Sequence, residues 1–261
     1  MPLPKLPKTT TTTLRESEFK LAQAHFNWLM LAPGVTHDNV HVATAAAVGG
    51  ILVATAFAGR AVLGTGDAAV APASRFSLKG VLEMILEFIV GIVDMVIGEG
   101  GRKYVPMFAS IFMFVWVQNL IGLLPGMTPA TDNINTTLAV GIFSFLVYNY
   151  YGLKENGWDY VKHFFGPVTG LVWIPMMILM LAIEVIGHAV RPLTLGLRLY
   201  GNIMADHTVL SVFLSMFESM WFIPVPAIFY GMGIFVASMQ AFVFTMLSMI
   251  YVSMAIAHEE H

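Results

Sequence analysis

From Ser219 to Ala257 the sequence carries no charged side chain and no histidine. A helix needs only about 20 predominantly apolar residues to cross a bilayer, and this stretch is far longer. A water-soluble core has no use for such a run. The whole chain agrees: 57% of its 261 residues are hydrophobic and 11% charged, against about 45–50% and about 25% in soluble domains. The mean hydropathy is +0.75. The expected fold class is an all-α integral membrane protein with several transmembrane helices. A net charge of -3 argues against a nucleic-acid binder. With no cysteine, disulfides, thiolate metal sites and cysteine nucleophiles are excluded. The 18 methionines suit adaptable packing between apolar helices.

Residues 1–37 read as a polar amino-terminal extension, with Pro2, Pro4, Pro7 and the run Thr9–Thr13. No charged region leads into an apolar one there, so a cleavable signal peptide is not expected. Residues 38–261 read as one membrane domain. Its first expected helix is 43–62, rich in Ala, Val and Gly, with Arg60 near the end. At 77–97, Lys79, Glu83, Glu87 and Asp94 fall on one helix face. Leu82, Ile85, Leu86, Phe88, Ile89, Val93 and Met95 take the other. Such a helix either lies in the interface plane or spans with its charged stripe against protein; an in-plane amphipathic helix is the expectation adopted. Further helices are expected at 105–124 and 137–151, joined by a loop with Asp132, Asn133 and Asn135.

Lysine and arginine placement orients the chain. Arg75, Lys79, Arg102 and Lys103 precede 105–124, Lys154 and Lys162 follow 137–151, and 125–153 has neither residue type. The linkers at 63–104 and 152–168 are therefore expected inside and the loop at 125–136 outside. Lys5 to Lys20 fall on the outer end, too far from the first span for the rule to hold.

The remaining stretches, 171–217 and 227–257, are too long for upright spans. A helix from just after Pro226 to Ala257 extends about 47 Å at about 1.5 Å per residue. The hydrocarbon core is about 30 Å thick, so a straight helix needs a tilt near 50°, beyond the usual range of about 0–40°. A strongly tilted or bent carboxyl-terminal hairpin is expected, turning near Ser219–Pro226; kinking is the alternative.

Charges interrupt the first of these helices: Glu184, His188, Arg191, Arg198, Asp206 and His207. A charge at mid-bilayer costs about 2.5 kcal/mol on insertion scales and above about 10 kcal/mol in simulations, so such residues are functional candidates. Glu184, Arg191 and Arg198 recur every seven residues and lie within about 40° of one another. Asn202 is one turn past Arg198, and His207 is about 180° around from it. The helix offers an arginine face and a titratable face, which suits a proton that approaches from one side and must not pass the arginine.

Leu193–Asn202 reads Leu-Thr-Leu-Gly-Leu-Arg-Leu-Tyr-Gly-Asn. It closely resembles the signature of subunit a of the F-type rotary ATP synthase, the bacterial-type membrane stator beside the c-ring. Asn119–Pro125 (Asn-Leu-Ile-Gly-Leu-Leu-Pro) resembles the end of one of that family's spanning helices. Asn133–Leu138 resembles its Asp-x-Asn-x-Thr-Leu loop, with Asn133 in the acid's place. Gln240–Phe244 resembles its last-helix Gln-Ala-Phe motif, and Tyr251–His261 looks like the bacterial tail. The resemblance covers roughly 38–261.

The resemblance implies that Arg198 is the essential arginine that faces the rotor carboxylate and separates two offset aqueous half-channels. A guanidinium cannot deprotonate in a protein, which fits a fixed positive gate; an ion pair with Glu184 or a snorkelling side chain is the alternative. Asn202 and Gln240 match the polar pair near that arginine, either orienting it and holding water or bonding two helices together. Glu184 matches an acid of the inner half-channel, with a charge pair to Arg191 as the alternative. Arg191-Pro192 reads as structural or interfacial. The outer half-channel departs from the best-known bacterial pattern. Gly-Glu becomes Asp206-His207, and the last-helix histidine becomes Gly233. This implies a rearranged relay, with Gly233 making room for Asp206 and His207 supplying an imidazole, a group type suited to relay protons. Asn119 either lines that path or bonds two helices. Asp132, Asn133 and Asn135 either shape the proton entrance or perform turn chemistry. His163, His188, His258 and His261 are assigned to surface or interface.

The implied function is proton transport in ATP synthesis, by a subunit that is non-catalytic alone. The implied partners are the c-ring (subunit c), the subunit b peripheral stalk, the other subunits of the complex and membrane lipid. Neither nucleic acid nor nucleotide is expected as a partner, since no Walker-type loop is present. No cofactor or metal is expected. The expected location is the bacterial inner (plasma) membrane. An autonomous ion channel or secondary transporter is the rival reading, although no internal repeat supports it. An integral-membrane enzyme lacks any nucleophile, base and orienter set.

Overall fold

The computed structural model of the chain describes residues 27–63, 77–124, 126–158, 160, 174–217 and 225–257. Several expectations lie outside them: the extension up to residue 26, Arg75, Pro125, Lys162, His163, the hairpin turn through residue 224, and His258 and His261. Among the described residues the longer elements are all helices: α1 (Val40–Leu63), α2 (Leu78–Val96), α3 (Val105–Ile121), α4 (Ile134–Asn156), α5 (Ile174–Phe217) and α6 (Val225–Ile256). Short 3-10 turns occur at Trp28–Leu31, Glu99–Tyr104 and Ala130–Asp132. By length and composition four stretches can cross a membrane: Val40–Arg60, Glu99–Ile121, Pro175–Phe213 and Ala227–Ile256.

Local chemistry sets the helix ends. Ser77 Oγ accepts from Gly80 N at 3.0 Å and starts α2, an N-cap that satisfies an otherwise orphaned donor. At the other end, Ile97 N and Gly98 N both donate to Val93 O, with Gly98 at φ +87°, where a side chain would be strained. Pro106 sits in the first turn of α3, where its missing N–H costs nothing. Asn133 caps α4 by accepting from Asn135 N at 2.9 Å, so that helix starts before residue 137. It also continues beyond residue 151. Its polar end is tied down by Lys103 Nζ, 2.6 Å from Glu155 Oε1, and by Tyr104 OH, which donates to the same oxygen. What reads as the start of a polar linker is the helix's last turn. Helix α3 closes at Ile121, and residues 122–124 form turns.

Helix α2 packs only part of its apolar face. Ile89 and Val93 are fully buried, whereas Val81, Met84, Leu86, Phe88 and Met95 remain exposed. The charged stripe is partly self-paired, with Lys79 Nζ 3.6 Å from Glu83 and Arg102 donating to both oxygens of Asp94.

The core lies where α3, α4, α5 and α6 meet, around Phe108, Val115, Tyr148, Leu199, Phe244 and Met249. The α4–α5 crossing is very close. A methyl group on Gly141 would meet Pro192 O at 2.5 Å, and one on Gly196 would meet Leu138 Cα and Thr137 O at 3.0 Å. Small residues allow backbones this near, as is usual between membrane helices. Polar ties cross the core as well: Ser144 Oγ donates to Ser248 Oγ at 2.8 Å, and Trp116 Nε1 to Ser238 Oγ at 3.0 Å.

Candidate functional site

Helix α5 carries most of the candidate side chains. Its buried edge holds Leu195, Leu199 and Ile203 against the core, while Leu193, Leu197 and Met204 are exposed. Arg198 lies at the border between the two faces. It is exposed and has no hydrogen-bond or ion-pair partner among the described residues. The alternative of an ion pair with Glu184 is therefore not adopted in this structure. Beside it, Asn202 Nδ2 donates to Gln240 Oε1 at 2.5 Å and joins α5 to α6. Gln240 is buried, and its own Nε2 has no hydrogen-bond partner among the described residues. A buried amide keeps such a donor only at a cost, so this one remains available to a further acceptor.

Toward the end of α5, Asp206 and His207 diverge. An ideal methyl on Gly233 of α6 would lie 3.3 Å from Asp206 Oδ2 and 2.6 Å from Leu123 Cδ2. The Asp206 carboxylate thus lies beside Gly233. His207 packs instead against the carboxyl end of α3: a methyl on Gly122 would lie 2.7 Å from His207 Nε2 and 2.7 Å from Pro129 Cγ. That contact with Gly122 had no signal in the motif comparison, because the glycine matters only through the space it leaves.

Asn119 is buried on α3. It accepts from Thr131 Oγ1 at 3.1 Å and donates to Ala237 O of α6 at 3.5 Å. Of its two possible roles, the geometry favours the tie between helices. Next to it Gln118 Oε1 accepts from Ala130 N at 3.2 Å and pins the loop. Asn133 performs turn chemistry as the α4 cap.

A second group lies four turns before the Asn202 level. Glu184 Oε1 is 3.1 Å from His188 Nε2, and His188 Nδ1 is 2.9 Å from Tyr148 OH on α4. Arg191 does not pair with Glu184; its guanidinium lies over the rings of Tyr148 and Tyr251, 5.8 and 5.4 Å from their centroids. Such cation–π contacts join α5 to α4 and α6. Of the two places assigned to His188, surface or interface, the structure excludes the surface. It is 8% exposed and packs against the Tyr148 ring of α4. The available signal was its spacing, four residues after Glu184 and so one turn along the same face. Nearby, Tyr160 OH donates to Asn149 Oδ1 at 2.9 Å. Burial pushes the Tyr160 hydroxyl up to about 12, so it remains a donor.

Together these features define a class of protein: an all-helical, multi-pass membrane protein with polar and titratable groups threaded between its longest helices and an arginine, Arg198, that has no hydrogen-bond or ion-pair partner among the described residues. The family model described as ATP synthase A chain matches residues 27–253. A relative named ATP synthase subunit a in Bdellovibrio bacteriovorus is 53% identical, with 90% of this chain and 99% of the relative covered. Proteins of the same name in a Sulfurihydrogenibium species and in Nitratidesulfovibrio vulgaris are 39% and 42% identical, each over 70% of this chain and over 84% and 78% of their own lengths. The chain belongs to the ATP synthase A chain family. Its relatives are bacterial and four of its stretches can span a membrane, which makes it a multi-pass protein of the bacterial inner membrane.

Proposed function

We propose that the chain is the proton-translocating stator of an F-type rotary ATP synthase, offering two offset half-channels to a ring of rotor carboxylates with Arg198 between them. The observation that carries this reading is Arg198 itself: exposed, without a protein partner among the described residues, and set at the edge of an apolar helix face. A permanent cation left open on such a face calls for an anion from another subunit. A rotor carboxylate meets that need, being stable as an anion opposite Arg198 and tolerating lipid only when protonated. The partners on this reading are the c-ring, the subunit b peripheral stalk, the other subunits of the complex and lipid.

Protons enter from outside through the Asp206 and His207 region, with Asn119 and Gln240 positioning the helices that enclose it. They protonate a rotor carboxylate, travel around the ring, and leave past Glu184. Asn202, held by Gln240, keeps the neighbourhood of Arg198 polar without titrating. Each charge that crosses releases about 2.3 kcal/mol per 100 mV. The lengths of α5 and α6, 44 and 32 residues, correspond to about 66 and 48 Å, which supports a strongly tilted pair running along a curved partner. The exposed apolar side chains and charged stripe of α2 support an in-plane helix, with the linkers at 63–104 and 152–168 inside.

Arg198→Ala in the complete complex, reconstituted in vesicles, tests the reading. ATP-driven proton pumping should vanish while the complex still assembles. Pumping at the wild-type rate would overturn the role.

A further inference from the structure

His188 is absent from the path just described, yet it is tightly placed. Its side chain is 10% exposed against 35% for Glu184. The carboxylate is the open end of the pair and the imidazole the closed end. Its two hydrogen-bonding neighbours here are Glu184 from α5 and Tyr148 from α4; the charged and titratable groups around that pair are Arg191 from α5 and Tyr251 from α6, which share ring contacts with Tyr148, and Tyr160 just after α4. Arg191 is engaged with aromatic rings, which leaves Glu184 to the imidazole.

The two ring nitrogens have partners of different kinds. Tyr148 OH can donate or accept, and a carboxyl group can do either according to its protonation. Three states therefore satisfy both of these contacts with the heavy atoms in place. In the first, a neutral imidazole donates Nε2–H to the Glu184 carboxylate and accepts from Tyr148 OH. In the second, a protonated Glu184 donates to Nε2, and Nδ1–H donates to the Tyr148 oxygen. In the third, an imidazolium donates to both. An amide or a hydroxyl at position 188 could bond the same neighbours but could not take the extra proton.

We propose that His188 is a proton carrier of the half-channel containing Glu184, a sealed reservoir that takes the proton from Glu184 and returns it. This rests on the stator reading. In the transfer the Oε1–H bond of Glu184 breaks and an Nε2–H bond forms, leaving a carboxylate beside an imidazolium whose Nδ1–H stays on the Tyr148 oxygen. The reverse step restores Oε1–H, and the proton departs to water at the open side of Glu184. No electrons change hands and no other reactant enters. While the proton rests on His188, Glu184 is again an anion.

The test is ATP-driven pumping by the complete complex in vesicles across about pH 5–8.5, with wild type, His188→Gln, Tyr148→Phe and Arg198→Ala. An imidazole changes charge within about pH 5–8. The wild-type profile should show an inflection in that range, His188→Gln should lose it and pump severalfold more slowly on its acid side, and Tyr148→Phe should displace it. A His188→Gln profile that superimposes on wild type overturns the proposal. If His188→Gln fails to assemble, infrared spectra of the wild-type complex labelled with 15N-histidine decide. A histidine band that titrates in this range and is altered by Glu184→Gln is expected; its absence overturns the proposal. Undiminished pumping by Arg198→Ala would instead bring down the stator reading, whatever His188 does.

Discussion

At the scale of single residues, the site depends on side chains and on the glycines that leave them room. Gly233 is the clearest case. An added methyl meets the flexible end of Leu123 and sits 3.3 Å from Asp206 Oδ2, so Gly233→Ala should be tolerated in folding. It should still displace the carboxylate by a few tenths of an ångström and slow pumping severalfold, measured against unchanged levels of assembled complex. Gly122→Ala should do more, because one of its two contacts at 2.7 Å is the Pro129 ring, which cannot swing away. It should shift His207 and lower pumping further than Gly233→Ala; the order of the two rates is the check. Arg198, Asn202, Asp206 and Glu184 draw notice as polar or charged side chains inside an apolar helix, whereas Gln240 is singled out only by its resemblance to the family's last-helix motif. The setting of His188 was not legible, since its neighbour Tyr148 lies 40 residues away in sequence and only the α4–α5 packing brings them together.

Among the elements, the α4–α5 crossing has the least tolerance. A methyl on Gly141 would lie 2.5 Å from the Pro192 carbonyl oxygen, and backbone cannot step aside as a rotamer can. Gly141→Ala should destabilise the subunit by about 1–3 kcal/mol, the usual cost of overpacking, visible as a lower unfolding temperature in detergent. Helix α2 supplies the pH dependence. The Arg102 hydrogen bond holds the Asp94 carboxyl below the ordinary aspartate range. A depressed pKa stabilises the folded state above the unfolded pKa, and that stability is lost as pH falls through the lowered value. The Asp94–Arg102 tie should thus persist to a lower pH than an unpaired aspartate stays ionised, which the carboxyl carbon shift of Asp94 would report; Arg102→Gln should restore an ordinary titration. Apolar length and charge placement made most helices legible. Their ends were less so, because the Asn133 cap and the Lys103–Glu155 pair extend α4 through residues whose polarity alone reads as linker.

For the molecule as a whole, the division of α5 into a packed edge and an open one fixes where a partner can sit. The sequence contains no cysteine, so single cysteines can be introduced without background. Cysteines at Leu197 or Ala205, on the open face near Arg198, should form cross-links to the rotor in the assembled complex. One at Leu199, fully buried, should not; cross-linking from Leu199 alone would reverse the assignment of faces. The membrane class was legible from composition, whereas which side of α5 faces outward was not, since a helix apolar all round gives no direction until its neighbours are placed. The bare guanidinium has a last consequence, for biogenesis. On the stator reading, a subunit inserted before its rotor would hold an unneutralised cation toward the bilayer, at about 2.5–3.5 kcal/mol on insertion scales. Lodging in the bilayer therefore becomes comfortable only on meeting its counterpart, so newly made copies left solitary should be short-lived, and the order in which the machine is put together is written into one side chain.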